Sequence, residues 1–316
     1  VVFNYGLFSF NTPNFIFRFS LGETDYQLGA TDYERFAAEY AFFGRSVWQQ
    51  TLNLTDEEKT ELIRLLQENY RPENRVYRYN FFYDNCATRP RDKIEESIAG
   101  KVIYPAEPQD GSLTFRDIVH QYCKGHPWAR FGIDLCIGSE ADQPITQRQM
   151  MFAPFYLMDA FDGAQIKGDS IQRPLITANE LIVDATPEPD ESDWMPTPLQ
   201  CSLLLFILTA AATIYGIRRR TGLWGIDLFL FGIAGIVGCV LAFLALFSQH
   251  PAVSSNFLLL VFHPGQLLFL PYIIYCVRKG KKCWYLTLNL AVLTLFIVLF
   301  PVIPQRFDFA VVPLAL

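Results

Sequence analysis

Acidic residues are almost absent from the second part of the sequence. Residues 200–316 contain two of them, Asp227 and Asp308, together with eight Lys or Arg. Residues 1–199 contain 30 Asp or Glu and 18 Lys or Arg, so the two net charges, +6 and −12, add to the −6 of the whole chain. A mixture of both signs is typical of a solvated surface. The first part is therefore predicted to be an acidic soluble domain, and the second part is not.

Charge and cysteine are also scarce, and each shortage excludes a class of protein. Charged residues make up 18% and hydrophobic residues 51%, and the mean hydropathy of +0.17 excludes a disordered chain. Seven Cys in 316 residues are too few for a disulfide scaffold. The acidic net charge excludes a nucleic-acid partner. No Cys or His spacing fits a metal site, and neither a metal nor a cofactor is predicted.

Long apolar runs fill the second part. They cover residues 201–217, 223–247, 257–277 and 284–303. A helix of about 20 apolar residues crosses a bilayer, so the runs predict four membrane spans. The last residues, 308–316, resemble the first half of a fifth span that is cut off.

The basic residues predict the orientation of these spans. Residues 218–220 are all Arg, and residues 278–282 contain four bases, whereas residues 248–256 contain no Lys or Arg. The positive-inside rule places the two basic loops in the cytoplasm. Residues 1–199 then lie outside, which predicts a periplasmic domain and an inner-membrane location in a Gram-negative cell.

Three segments follow from these patterns. Residues 1–184 are predicted to form the periplasmic domain, residues 185–199 an acidic, proline-rich linker, and residues 200–316 the transmembrane domain. The topology requires a signal sequence that the sequence does not show, so we expect Val1 not to begin the gene product. Helices are predicted over 32–43, 56–70, 91–98, 115–124 and 144–163, and strands over 77–83 and the aromatic stretch 10–19.

Cys86 is the leading candidate for chemistry. It follows Asp84 and Asn85 at a predicted junction between a strand and a helix. A thiol at a helix N-terminus has a lowered pKa, and the free backbone N–H groups there can stabilise an oxyanion. Arg89 adds positive potential, although Pro90 cannot donate to the carbonyl of Cys86. The structural alternative is that Cys86 is a small buried residue.

The other candidates each have a structural alternative. His126 begins a Pro-Trp segment, and it either orients a partner or packs against Trp128. His263 precedes a proline inside the third apolar run, where an ionisable residue is a functional candidate; alternatively it bonds a neighbouring helix at a proline kink. Cys123 and Cys136 are either a disulfide or two buried thiols. His120 and the carboxylates of the Asp134–Asp142 stretch are predicted to be solvated or locally satisfied.

Several motifs together resemble one family. They are Val-Phe-Asn-Tyr-Gly at 2–6, Pro-Asn-Phe at 13–15, Tyr-Gln-Leu-Gly at 26–29, Tyr-Asn-Phe-Phe-Tyr-Asp-Asn-Cys-Ala-Thr-Arg-Pro-Arg-Asp at 79–92, and Pro-Trp-Ala-Arg-Phe-Gly-Ile-Asp-Leu at 127–135. These motifs, in this order, resemble the Lnb family of membrane proteins, which carry a periplasmic domain followed by a multi-span domain. The resemblance covers essentially the whole chain.

The resemblance implies a function and a fold. The function is transfer of an acyl chain from a phospholipid, through a Cys thioester, to the N-terminal amine of a lipoprotein. The fold is an α+β, circularly permuted papain-like domain, similar to NlpC-type enzymes and lecithin:retinol acyltransferase, followed by an α-helical membrane domain. Asn85 and Cys86 match its catalytic helix. Its catalytic His belongs to a strand just before residue 1, so the chain is expected to be catalytically incomplete.

Two other functions remain open at this point. One is a membrane-tethered papain-like hydrolase, a peptidase or a peptidoglycan amidase, that uses Cys86 with water as the acceptor. The other is a binding or assembly module in which Cys86 is structural. For the acyltransferase, Arg89, His126 and His263 are the candidate supporting or substrate-binding residues.

Overall fold

The structure is a computed structural model that describes residues 1–9, 13–105, 113–168, 172–185 and 195–316. The chain divides into two compact units. The first contains Val1–Ile118 and Pro144–Glu191, and the second contains Val119–Gln143 and Ser192–Leu316. The sequence predicts a single boundary near residue 185, but residues 119–143 belong to the second unit. Most of the predicted linker, 185–199, lies outside the described residues.

The secondary structure is mixed in the first unit and helical in the second. The strands are β1 (Val2–Leu7), β2 (Asp25–Thr31), β3 (Val47–Leu52), β4 (Val76–Arg78), β5 (Lys101–Ile103), β6 (Gln165–Lys167), β7 (Gln172–Pro174) and β8 (Ile176–Val183). The helices are α1 (Phe15–Leu21), α2 (Tyr33–Phe42), α3 (Asp56–Tyr70), α4 (Thr88–Ser97), α5 (Phe115–Tyr122), α6 (Pro127–Cys136), α7 (Gln147–Met150), α8 (Pro154–Asp162), α9 (Pro198–Arg219), α10 (Trp224–Phe247), α11 (Pro264–Leu268), α12 (Leu270–Lys279), α13 (Trp284–Leu299) and α14 (Val311–Ala315).

The strands of the first unit form small antiparallel sheets. Their orders are β1-β2-β4, β3-β8 and β5-β6-β7. The first sheet pairs Phe3 with Ala30 and Tyr26 with Tyr77, and its register shifts between Asn4 and Leu7. A register shift of this kind is a bulge, which bends a strand and redirects its side chains. The bulge includes Gly6, which faces the candidate site.

Helix α3 forms where the sequence predicts it. Thr55 and Glu58 make a reciprocal capping box, with the Thr55 N–H 2.8 Å from Glu58 Oε2 and the Glu58 N–H 3.3 Å from Thr55 Oγ1. Glu58 is buried, and it also accepts from the Ala99 N–H and pairs with Arg173. Burial acts to raise the pKa of Glu58, but the hydrogen bonds from Thr55 and Arg173 outweigh it and lower the pKa. Glu58 therefore joins three segments of the chain, namely α3, the segment at Ala99 and the strand that contains Arg173.

The membrane runs of the second unit do not all become single helices. Among the described residues, α9 and α10 are long and apolar enough to cross a membrane, and they match the first two predicted runs. The third run is divided into a 3-10 turn at Phe257–Leu260, α11 and α12. Helices α12 and α13 qualify only as a pair, with a 114° bend at the break between them. Proline explains the division, because Pro264 and Pro271 lack the N–H that a continuing helix requires.

A glycine face on α10 lets α11 approach closely. A Cβ at Gly238 would lie 2.4 Å from the backbone N of His263, and one at Gly235 would lie 2.5 Å from the N of Leu267. Small residues of this kind allow backbones to pack tightly where no hydrophobic effect drives helices together. The glycines therefore fix the position of His263 and the start of α11.

The two basic loops lie at one end of the second unit. The guanidinium of Arg278 stacks over the Trp224 ring at 5.3 Å, and a Cβ at Gly222 would lie 2.8 Å from the carbonyl oxygen of Val277. Both predicted cytoplasmic loops therefore share a side, as the positive-inside rule requires.

Polar side chains close the C-terminal end of α6 within the same unit. Asn256 Nδ2 donates to the carbonyl of Leu135 at 2.7 Å, and Gln305 Nε2 donates to the carbonyl of Ile137 at 3.2 Å. Both amides are buried. The last carbonyls of a helix have no partner within the helix. Residues 119–143 therefore join the second unit through hydrogen bonds that hydropathy does not reveal.

We predict that Gly238→Ala destabilises the second unit. The new methyl group meets backbone rather than a movable side chain, and overpacking of this kind costs about 1–3 kcal/mol. Thermal unfolding of the purified protein in detergent measures the effect. Gly225→Ala, on the same helix, is the control because a Cβ there meets nothing within 4 Å. Equal midpoints for the two variants would contradict the close contact.

Candidate functional site

Asn85 builds the turn that carries Cys86. Its side chain is buried and makes four hydrogen bonds within the first unit. Its Nδ2 donates to the carbonyls of Phe81 at 2.8 Å and Phe152 at 2.9 Å, and its Oδ1 accepts from the N–H groups of Ala87 at 2.8 Å and Thr88 at 3.0 Å. All of its polar atoms are thus engaged within the protein. Asn85 is a residue that positions Cys86.

Cys86 stands exposed in the turn that leads into α4. It lies against the bulge of β1, where Gly6 has a φ of +95° and a Cβ would come within 3.1 Å of the Cβ of Cys86. A non-glycine residue at Gly6 is disfavoured both by this contact and by the positive φ. The Asn-Tyr-Gly and Asp-Asn-Cys motifs, far apart in sequence, therefore meet in space.

Tyrosines surround the thiol. Tyr26 stacks on Tyr79 with ring centroids 4.1 Å apart, and Tyr77 packs beside Tyr26. Burial raises the pKa of all three hydroxyls, and the negative charge of a Cys86 thiolate raises it further. The three hydroxyls therefore stay protonated at neutral pH. The hydroxyl of Tyr77 is buried and has no hydrogen-bond partner among the described residues, so it is available as a donor.

The structure corrects the prediction that Cys86 has a lowered pKa. Burial raises the pKa of the thiol, and only the backbone N–H of Cys86 itself opposes that shift. The cysteine is exposed at the surface, yet the surrounding protein reduces its solvation enough to disfavour the thiolate. Two backbone N–H groups at the start of the helix, those of Ala87 and Thr88, are not free but donate to Asn85 Oδ1.

Arg89 is also committed elsewhere. Its Nε and Nη2 form a bidentate pair with Asp84 at 2.6 and 2.7 Å, and its guanidinium lies 3.7 Å from the centre of the Tyr77 ring. Because Asp84 neutralises most of its field, Arg89 contributes less positive potential at Cys86 than the sequence suggests. Through the contact with its ring, Arg89 holds Tyr77 beside the turn that carries Cys86.

The predicted histidines do not belong to the unit that contains Cys86. All four histidines of the chain are in the second unit, and Cys86 is the one cysteine in the sequence of the first. His126 is exposed at the start of α6, and its carbonyl accepts from Arg130. His263 Nε2 lies 3.3 Å from Asn289 Oδ1 of α13, the type of contact that its structural alternative describes. Cys123 and Cys136 are free thiols, so no disulfide joins them.

A hydrogen-bonded pair of side chains, His120 and Asp134, was missed by sequence reasoning. His120 Nε2 lies 2.8 and 3.0 Å from the two carboxylate oxygens of Asp134, which is buried in α6. The available signal was a single acid inside an otherwise uncharged stretch of an amphipathic helix, Gly-Ile-Asp-Leu. The sequence instead suggested a solvated carboxylate. The pair lines a cavity in the second unit.

Two family models match the chain. Residues 1–120 match the Lnb N-terminal periplasmic domain, and residues 190–316 match the Lnb transmembrane domain. The chain belongs to the Lnb family. The matched periplasmic region contains Cys86, the Asn85 turn and the β1 bulge. No curated protein and no solved structure matches the chain.

Membership of the Lnb family confirms the resemblance drawn from the motifs. It also establishes a membrane protein with a periplasmic domain, in agreement with the apolar helices of the second unit. The matched regions leave out residues 121–189. These include the whole Pro-Trp motif and α6, so the cavity at His120 and Asp134 is only partly covered by the two models.

We predict that Cys86 alkylates slowly at neutral pH and faster as the pH rises. Since the thiolate is the reactive form, the rate should increase about tenfold per pH unit and should not level off below about pH 9. Peptide mass spectrometry after timed exposure to iodoacetamide gives the rate at Cys86. An unstructured cysteine peptide, with a thiol pKa of about 8.5, is the reference. A plateau near neutral pH would instead indicate a stabilised thiolate.

We predict that Asn85→Ala unfolds the turn. Removal of the amide leaves two carbonyls and two N–H groups without partners, so the free energy of unfolding should fall by about 2–4 kcal/mol. Chemical denaturation measures the loss. Asn74→Ala is the control, because Asn74 is exposed and its side chain donates a single recorded hydrogen bond, to the Glu68 carbonyl. A loss for Asn85→Ala no larger than that of the control would contradict the positioning role.

Proposed function

We propose that this Lnb family member is a lipoprotein N-acyltransferase whose nucleophile is Cys86. The acyl donor is a phospholipid of the membrane, and the acceptor is the N-terminal amine of a lipoprotein. The observation that carries the proposal is the placement of Cys86, an exposed thiol on a rigid turn, at the meeting point of the two family motifs of the periplasmic domain.

The first step forms a thioester. The sulfur of Cys86 attacks the carbonyl carbon of a phospholipid ester, the C–S bond forms, and the C–O bond to glycerol breaks. The proton of the thiol ends on the glycerol oxygen of the departing lysophospholipid. Because the pKa of Cys86 is raised, a base must accept this proton as the attack proceeds.

The second step forms the amide. The α-amine of the lipoprotein attacks the thioester carbonyl, the C–N bond forms and the C–S bond breaks. One proton of the amine returns to the Cys86 sulfur, which regenerates the enzyme. Splitting one difficult transfer into two easier ones is the general advantage of a covalent intermediate.

One donor is suited to the oxyanion of each step. The backbone N–H of Cys86 lies close to its own sulfur. Donors that are fixed before the reaction stabilise developing charge without reorganisation.

The arrangement of elements is consistent with a papain-like architecture. In such enzymes the nucleophilic Cys begins a helix that packs against an antiparallel sheet, and here the Cys86 turn leads into α4 and lies against β1 of the β1-β2-β4 sheet. The helices of the second unit would hold the domain at the membrane where both substrates reside. We place the basic loops in the cytoplasm.

We predict that Cys86→Ala abolishes N-acylation in cells. Mass spectrometry of the N-terminal lipopeptide of a reporter lipoprotein should show the extra acyl mass with the wild-type gene, and should not show it with the variant or without the gene. Cys123→Ala is the matched control, since Cys123 belongs to the second unit and is outside the site. Equal protein levels are verified by immunoblotting.

Two results would overturn the proposal. Acylation that persists in the Cys86→Ala strain, in a host without another N-acyltransferase, would exclude Cys86 as the nucleophile. Intact-mass analysis that shows release of free fatty acid from the acylated enzyme at the same rate with and without the lipopeptide would identify water as the acceptor, and thus a hydrolase.

A further inference from the structure

A cavity of mixed polar and apolar lining lies at the N-terminal end of α9 in the second unit. It has a volume of about 410 Å³. Charged and imidazole groups line one part of it, and apolar side chains line another. The lining residues used below are His120, Arg130, Asp134, Leu199, Arg306, Asp308 and Phe309.

The acids of this region are buried and already paired. The side chain of Asp134 is 4% exposed and binds His120, and that of Asp308 is 9% exposed and pairs with Arg130 at 3.3 Å. Asp142 is 7% exposed and pairs with Arg306 at 3.1 Å. A ligand in the cavity therefore meets few free carboxylate oxygens.

The arginines, in contrast, face outward. The side chains of Arg130 and Arg306 are 45% and 53% exposed. A guanidinium has five donors in a planar fork, and the one recorded side-chain bond of Arg130 goes to Asp308. Guanidinium groups bind phosphate oxygens in a bidentate manner. Each of these arginines is also the partner of one of the buried acids, so the guanidinium groups are the exposed ends of the ion pairs, and they are suited to a phosphate group.

The position of the cavity favours a lipid over a soluble anion. Helix α9 is 22 residues long, so its N-terminal end lies about 33 Å from the Arg218 and Arg219 turn at its other end. That separation is about the thickness of the hydrocarbon core of a bilayer. The cavity thus lies at the level of lipid headgroups when α9 spans the membrane.

An apolar path continues from the cavity along the helix. Phe309 and Leu199 of the lining are exposed. Beyond Leu199, one side of α9 presents further exposed aliphatic side chains, namely Leu203, Leu204, Ile207 and Leu208. A surface with cations at the headgroup level and aliphatic side chains below it is complementary to an amphiphile.

We propose that this cavity binds the phosphate of a membrane phospholipid, with Arg130 and Arg306 on the phosphate oxygens and the acyl chains along α9. His120, fixed by Asp134, forms the inner wall of the site. The proposal concerns binding in the membrane domain and does not require acyl transfer at Cys86.

Binding of short-chain lipids to the purified full chain in non-ionic detergent tests the proposal. The probes are dihexanoylphosphatidylcholine, dihexanoylglycerol, which lacks the phosphate, and inorganic phosphate. Phosphatidylcholine has no net charge, so general attraction to basic loops does not contribute. Isothermal titration calorimetry should detect the first probe and should show much weaker binding of the other two.

The double variant Arg130→Gln/Arg306→Gln should weaken phosphatidylcholine binding by about tenfold or more, because two charge-assisted contacts to phosphate are lost. The matched control is Arg218→Gln/Arg219→Gln, which removes two exposed arginines at the other end of α9 and should leave the affinity unchanged. Thermal unfolding without lipid verifies the fold. If the double variant is unstable, the affinity of Arg306→Gln alone is measured, because this side chain is exposed.

Each alternative result overturns a defined part of the proposal. Equal affinity for inorganic phosphate and the lipid would identify a soluble-anion site. Equal affinity for dihexanoylglycerol would exclude phosphate recognition. Unchanged binding in both arginine variants would place the lipid elsewhere. None of these measurements involves acylation, so their results do not depend on whether Cys86 catalyses acyl transfer.

Discussion

The buried amide of Asn85 is the constraint on which the candidate site depends. It donates to two carbonyls from separate segments and accepts from two N–H groups at the start of α4. An aspartate could accept from the helix but would face two carbonyls with no proton to donate, and an alanine would satisfy neither side. The carboxamide is therefore the group that both begins the helix and attaches it to the Phe152 segment. Pro90 cannot donate a hydrogen bond to the Cys86 carbonyl. The turn forms nevertheless, because the Asn85 side chain supplies the hydrogen bonds that hold it.

Buried side-chain amides also join residues 119–143 to the rest of the membrane-spanning unit. Two buried amides, Asn256 and Gln305, satisfy the carbonyls that end α6, and Arg306 pairs with Asp142. An unsatisfied buried carbonyl is costly, so these contacts are specific to one arrangement. Within this unit, polar contacts close one end and tight glycine packing sets the distance between α10 and α11.

Local patterns predicted some elements well and others poorly. Helix α3 was predictable because Thr55, Glu58 and an apolar stripe all favour the same helix, and the first two spans follow from hydropathy alone. The aromatic stretch 10–19 suggested a strand, but its described part contains α1, which begins after Asn14 in a left-handed conformation. The third apolar run was expected to form one span, although its prolines divide it. Hydropathy counts apolar residues and does not register missing N–H groups.

The candidate site was predictable in identity but not in electrostatics. The sequence predicted Cys86 from its position before a helix, and the same pattern suggested a stabilised thiolate. The sequence does not show that Asn85 takes the helix N–H groups, that Asp84 neutralises Arg89, or that tyrosines from β2 and β4 surround the sulfur. The pair of His120 and Asp134 was missed for a related reason. The contact joins α5 and α6, and no local sequence pattern predicts how two helices pack against each other.

The raised pKa of Cys86 has a consequence for the proposed thioester. A thiol of higher pKa is a poorer leaving group, so the intermediate loses its acyl chain more slowly to any weak nucleophile. An amine is a much stronger nucleophile than water. In the proposed mechanism, the environment that makes Cys86 slow to ionise therefore keeps the acyl chain on the sulfur for longer when no amine is present.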